Sequence, residues 1–458
     1  MFFKLTKGYI YIKNNGKEMF FIKKSLYLIL CMPICALADQ DCATVRYVPL
    51  HEMTLQEVIN MGLCRNPQTA AAYASLQSSR YTKNAAHSYY LPTVSGSVGG
   101  DRDHTVHDDW DYTASLSASY LIFDFGKRES DFAQALATYR AAGFDYDETI
   151  QNYIFSVIGA YYELLTADAD VKSAESALAV AQTSKDTADK KFKAGAIAKS
   201  DVYQAETTLA SSKLYLERAK NNREITKGKL LNTLSFPADQ DIKIKDMPAS
   251  FGSDAEAEHI DKLIEIARKK RPDLLKAEAQ TSIAWHRRNS MFLKNLPSFS
   301  VHGSVNITDK TVGGMFEHMS VKTSGKFGVS VSMPIFAGFS NIYNARSANS
   351  DYESAKYTQE SVSNNAMLDI FSAYQNYKTA KTVLEQSKTL LKSATESERV
   401  TAGMYKVGRA TMLDWLSAQS ELVDAQKQNN SAKYDLFIKR ASVALAIGDI
   451  KSGIKDKK

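Results

Sequence analysis

Two periods of apolar residues alternate along this chain, and the alternation happens twice. From Thr54 to Arg65, Leu55, Val58, Ile59 and Leu63 recur at helical spacing. This predicts a helix, broken at Asn66-Pro67 and resumed to about His87. After Leu91-Pro92 the period becomes two. Val94 and Val98 alternate with Thr93, Ser95 and Ser97. From Asp111 to Phe123, Tyr112, Ala114, Leu116, Ala118, Tyr120 and Ile122 fall on one face, and Thr113, Ser115, Ser117 and Ser119 on the other. With the polar stretch Gly99 to Trp110 as its loop, this predicts a β-hairpin with one apolar and one hydroxyl-lined face. The helical period returns at Lys127 and holds for roughly 65 residues, enough to reach about 100 Å at the rise of an α-helix. Its stripe is Ile150, Tyr153, Ile154, Val157, Ile158, Tyr161, Leu164 and Leu165. A helix of that length needs others beside it.

The chain then repeats itself. Phe236 to Asp254 is weakly periodic and reads as a linker. Beyond it Leu263 and Ile264 answer Val58 and Ile59, Arg271-Pro272 answers Asn66-Pro67, and Leu296-Pro297 answers Leu91-Pro92. Each of these pairs is about 205 residues apart. Strands are expected again at Ser298 to Ile307 and Phe327 to Met333. From Phe123 and Phe336 onward the offset is about 213. The extra residues of the second copy are therefore expected in its hairpin, most simply in a loop from Thr308 to Gly325. Helix lengths must match in such a duplication, whereas a solvated loop is free to vary.

The long helices are expected to reverse at Gly195 and Gly408, because glycine takes the left-handed conformation of a helix C-terminus at little cost. Each glycine is followed by a new helix start. Thr411 and Asp414 form a Thr-x-x-Asp start, and Ser200 and Asp201 can do similar work in the first copy.

Charge changes this picture little. Lys and Arg number 57 against 51 Asp and Glu, a net +6. The signs are interspersed, which argues against nucleic acid as a partner; Arg268 to Arg271 reads as a solvated helix face. The N-terminus changes it more. Lys23 and Lys24, the apolar run Leu26 to Ile34 and the small-x-small site Ala36-Leu37-Ala38 read as a secretory signal over residues 1–38, for which Met19 is an alternative start. Cys31 and Cys35 would leave with it. Cys42 and Cys64 remain in an oxidising compartment and are expected to form a disulfide worth about 3 kcal/mol. Two buried free thiols are the alternative.

No apolar run after residue 38 is long enough for a spanning helix. A membrane-crossing form must then be a closed β-barrel. Four strands cannot close one, since about eight is the practical minimum, so several copies would have to share it.

The Leu-x-x-Val-Ile helix ending in Asn66-Pro67, the paired Leu-Pro strand openers and the twice-occurring [Phe/Tyr]-Lys-x-Gly turn resemble the TolC-type outer membrane efflux proteins over about residues 50–449. The resemblance implies a mainly α fold with a small β part. Long helical hairpins would form a trimeric α-barrel, and four strands per protomer would enter a shared twelve-stranded transmembrane β-barrel. The domains would be a first repeat 39–235, an equatorial linker 236–257, a second repeat 258–449 and a tail 450–458. It implies a channel-tunnel of a tripartite efflux or type I secretion system, in the outer membrane and extending into the periplasm. Its partners would be its own two copies, a periplasmic adaptor, an inner membrane transporter and outer membrane lipid, with no cofactor. In that family the helix tips close the tunnel. Asp414 falls on a constriction aspartate, and Ser417 stands where a second acidic residue is usual. Tyr405 and Asp201 fall on a latching tyrosine–aspartate pair. The latch arginine would sit at Ala410, with Arg409 one residue away.

Other chemistry is sparse. Asp101, Asp103, His104, His107, Asp108 and Asp109 include a His-x-x-His pair, but they fall in the expected outer loop and read as solvated. There is no phosphate loop, nucleophile elbow or Cys-x-x-Cys pair, so an enzyme is not expected. A periplasmic coiled-coil adaptor would share the long helices but lack the strands. A structural coiled coil would need sustained heptads and no hairpins.

Overall fold

The computed structural model describes residues 2–6, 9–14, 17–21, 51–103, 109–246, 260–311 and 319–451. They divide into two units, Met1–Arg46 and Tyr47–Lys458. In the first, β1 (Phe2–Thr6), β2 (Tyr9–Asn14) and β3 (Lys17–Phe21) pair as an antiparallel meander. The basic, apolar and cleavage regions of the expected signal, Lys23 to Ala38, lie outside the described residues, as does Cys42.

The second unit runs α1 (Leu55–Arg65), α2 (Pro67–His87), β4 (Thr93–Asp103), β5 (Asp109–Phe123), α3 (Lys127–Lys193) and α4 (Lys199–Thr233), and then the same order again: α5 (Ile260–Lys270), α6 (Pro272–Leu293), β6 (Ser298–Thr311), β7 (Met319–Ser332), α7 (Ser340–Lys406) and α8 (Met412–Ala446). The long helices have 67 residues in both copies and the returning helices 35. Within each copy the break between the two short helices has a local cause. Pro67 and Pro272 occupy the first helical turn, where a missing N–H costs nothing, and Asn66 caps α2 by accepting from the amides of Gln68 and Thr69.

The stripe read from the sequence is buried in the helical body, apart from the half-buried Ile150. Tyr153, Ile154, Val157, Ile158, Tyr161, Leu164 and Leu165 are buried, as are Leu55, Val58 and Ile59 of α1 and Leu230, Leu231 and Leu234 at the end of α4, and α3 packs along both of those helices. The linker is strapped to this core. Met53 pairs with Ile244 in a parallel bridge, and the Tyr161 hydroxyl donates to the Lys245 carbonyl at 2.5 Å. Burial raises the Tyr161 phenol well above its usual pKa. Cys64, on α1, is disulfide-bonded. Polar ties join the two copies: Lys276 reaches Asp145 and Glu148, and Asn430 reaches Asp170 and Ser173, while Lys451 of the tail reaches Asp147.

The four strands make one antiparallel sheet in the order β4-β5-β6-β7, with β4 and β7 as open edges. Register puts like with like across the sheet. Val94 opposes Ala118, Leu116 opposes Val305 and Val301 opposes Val329, while Ser95 opposes Ser117 and Ser300 opposes Ser330. The apolar row is exposed, with Val98 87% and Phe327 81% accessible. On the other face serines bond to one another: Ser95 to Ser117 at 2.8 Å, Ser97 to Ser115 at 2.7 Å and Ser300 to Ser330 at 2.8 Å.

The register also locates the extra residues of the second copy. Thr93 opposes Ser119 and Ser298 opposes Ser332. The first partners are about 205 apart and the second about 213, so the insertion lies inside the hairpin. Most of it is not loop, as the sequence suggested, but paired strand. β6 and β7 continue in register to Thr311 opposite Met319, and β4 and β5 run on to Asp103 opposite Asp109. Main-chain hydrogen bonds carry a ladder through polar residues that have no amphipathic period, which is why alternation alone ends these strands too early. His104, His107 and Asp108 of the acidic cluster lie outside the described residues. Among the described residues no group of three or more His, Cys, Asp or Glu converges as a metal site, and no helix is long and apolar enough to cross a membrane.

Candidate gate at the helix tips

Both reversals are built alike. Ala194 and Val407 end the long helices, and Gly195 and Gly408 follow with φ of +71° and +78°. The Ala196 amide donates to Lys191 O and the Gly195 amide to Phe192 O; in the second copy Arg409 donates to Met404 O and Gly408 to Tyr405 O. These are paired Schellman closures, which need a left-handed residue at the glycine.

The helices that follow start differently. Thr411 caps α8 in a capping box: its hydroxyl accepts from the Asp414 amide at 3.1 Å, and the Asp414 carboxylate accepts from the Thr411 amide at 2.8 Å and hydroxyl at 2.6 Å. In the first copy Ala198 holds the cap position and has no oxygen to offer. Ser200 and Asp201 therefore do not reproduce the cap expected of them; Asp201 sits in the first turn, where the Ser200 hydroxyl donates to its carboxylate at 3.5 Å.

Asp414 and Ser417 are exposed, one turn apart on α8. The Thr411 hydroxyl first, and the Thr411 amide second, hold the Asp414 carboxyl below the usual aspartate value. Arg409 is exposed and forms no ion pair among the described residues. Tyr405 is the opposite case, only 2% accessible. It packs with Ala188 of α3, Val202 and Ala205 of α4, and Met412 and Trp415 of α8, so one cluster joins both hairpins. Its hydroxyl is enclosed without a hydrogen-bond partner among the described residues. Burial first, and the charge of Asp201 second, push its phenol above the usual value. Asp201 is thus near enough to act on Tyr405 electrostatically without bonding to it.

Three contacts here were not foreseen. The Trp415 indole donates to Glu398 at 3.0 Å, Gln419 donates to the buried Ser184 hydroxyl at 2.6 Å, and Lys191 caps the Tyr405 ring. Trp415 follows Asp414 directly, and a tryptophan in the first turn of a helix was the one available signal.

A mostly helical chain with long paired hairpins ending in glycine reversals, joined to a sheet that exposes its apolar face, has the makings of an outer membrane channel protomer. The outer membrane efflux protein family model matches residues 58–234 and 263–449, once for each copy. The chain belongs to this family, and it is an outer membrane efflux channel. It is 23% identical over 423 residues to the outer membrane protein TolC of Vibrio cholerae, covering 88% of this chain and 94% of that one. It is 22% identical over 414 residues to the protein CyaE of Bordetella pertussis, covering 88% and 85%. Among solved structures, the Campylobacter jejuni CmeC outer membrane channel superposes with a TM-score of 0.72 at 20% identity, covering 88% of this chain and 89% of that one. VceC of Vibrio cholerae superposes with a TM-score of 0.73 at 18% identity, covering 86% and 96%.

Proposed function

We propose that three copies of this chain close one twelve-stranded barrel and continue it as a helical tunnel into the periplasm, forming a passive conduit without catalytic activity of its own. The observation that carries this is the four-stranded sheet, whose edges β4 and β7 are both open and whose apolar face is bare. In lipid neither edge can stay unpaired. The copies 39–235 and 258–449 are its two structural repeats, joined by the linker 236–257, and a Cys42–Cys64 disulfide ties the N-terminal arm to α1. The tunnel docks at its tips on a periplasmic adaptor and an inner membrane transporter. One relative is named a toxin and drug export protein, which makes secreted proteins and small toxic molecules the candidate cargo. Heat-modifiable migration of the membrane-extracted protein, with ion conductance in a planar bilayer, tests the reading; a monomer that forms no pores refutes it.

Asp414 supplies selectivity at the closed tip, where three symmetry-related carboxylates attract cations. Asp414→Asn is expected to abolish the cation preference of the single channel. Because the capping box lowers its pKa, the charge and the preference persist above the ordinary aspartate value of about 4 and fade only below it. An unchanged ion preference in Asp414→Asn would count against this role. Tyr405 and Asp201 form a latch when the enclosed hydroxyl finds the neighbouring carboxylate. Tyr405→Phe with Asp201→Ala is then expected to raise conductance several-fold, and native conductance in the double variant would exclude the latch.

A further inference from the structure

We infer that Lys191 is the clasp that holds the two hairpins of one protomer together at the tip, an assignment that rests on the tunnel reading above. Lys191 lies in the last turn of α3. Its ammonium stands 4.0 Å from the centroid of the Tyr405 ring and donates to the Tyr405 main-chain carbonyl. That carbonyl belongs to the last turn of α7, where it also accepts from the Gly408 amide of the closing turn and where the helix dipole is negative. One cation therefore meets a π face, a carbonyl oxygen and a negative helix end, all from the opposite hairpin.

The receiving side is held rigidly. The Tyr405 ring lies 5.2 Å from Trp415, and the Trp415 indole is tied to Glu398. Pulling the hairpins apart strips the ammonium from ring and carbonyl in one movement, so closure is cooperative. The neighbouring lysines Lys190 and Lys193 are exposed and make no such contact among the described residues.

The duplication shows that the clasp is a departure from symmetry rather than a by-product of it. The position equivalent to Lys191 in the second copy is Met404, and the position equivalent to Tyr405 in the first is Phe192. Phe192 is 42% accessible where Tyr405 is 2%. The first tip supplies only the cation and the second only the buried ring, so within a protomer the contact forms in one direction.

Lys191→Met keeps the apolar stem and removes the charge; Lys191→Arg keeps the charge and restores the cation–π contact. In planar bilayers Lys191→Met is expected to raise open probability about tenfold, and Lys191→Arg to stay within about twofold of the native channel. On the native protein, amine acetylation followed by mass spectrometry should label Lys191 about tenfold more slowly than Lys190 and Lys193. Native gating in Lys191→Met, or equal labelling of the three lysines, overturns the clasp. These failures differ from that of the tunnel reading, which would show as no conductance in any variant, the native chain included.

Discussion

Gly448→Ala is expected to destabilise the protein by about 3 kcal/mol or more, the combined cost of a left-handed non-glycine residue and of overpacking against backbone. Gly448 closes the end of α8 with φ +76°. A Cβ there would lie 2.7 Å from the Arg271 Cα and 2.8 Å from the Arg271 nitrogen and the Lys270 carbonyl carbon. These are main-chain atoms, so no rotamer change relieves the clash. Nor can the α5–α6 junction retreat. Arg271 is fixed by ion pairs to Asp273 at 2.8 Å and Asp369 at 2.7 Å, and by hydrogen bonds to the Ala366 and Ala446 carbonyls. Gly408→Ala is the matched control. It has φ +78° but no atom within 4 Å of the added carbon, so it carries only the backbone penalty of about 1–2 kcal/mol. The temperature at which the detergent-extracted protein loses its assembled form measures both; equal shifts would show that the close approach at Gly448 does not matter.

Val329→Arg is expected to prevent stable insertion. Val329 lies on the apolar row of β7, 65% accessible and opposite Val301. An arginine facing hydrocarbon near mid-depth of a transmembrane barrel costs about 2–4 kcal/mol per site. Three symmetry-related copies multiply that cost within one barrel. Ser330→Arg, one residue on, points to the hydroxyl-lined face and should be tolerated, with a change in conductance rather than in assembly. The fraction of each variant recovered in the outer membrane decides the matter. Equal recovery would mean that the apolar row does not face lipid.

Much of this architecture was legible because the chain states it twice. The long helices are specified by a stripe such as Tyr153 to Leu165 and by glycines at positions where only a left-handed residue closes the turn. Strand ends were less legible. Gly99, Gly100, Asp101 and Arg102 have no alternation, yet they continue β4 because pairing there is carried by the backbone. At the tip, Asp414 could be found because a capping box is local, with Thr411 three residues before it. Ser200 and Asp201 imitate that pattern, but the residue at the cap is Ala198. Lys191 could not have been chosen from the sequence over Lys190 or Lys193. Its partner is the main-chain carbonyl of Tyr405 in the other copy, and main-chain acceptors leave no mark in composition.

The serine ladders across β4, β5, β6 and β7 have a consequence for transit. In each cross-strand pair, such as Ser97 with Ser115, one hydroxyl donates to the other, so one of the two donors is committed to the wall. A passing solute then meets a wettable surface on which one donor of each such pair is already engaged. Residence on such a wall is short for any polar cargo, whatever its shape. The barrel behaves as a lubricated sleeve: throughput is limited by the opening of the tips and by diffusion, and discrimination has to be exercised before the cargo enters.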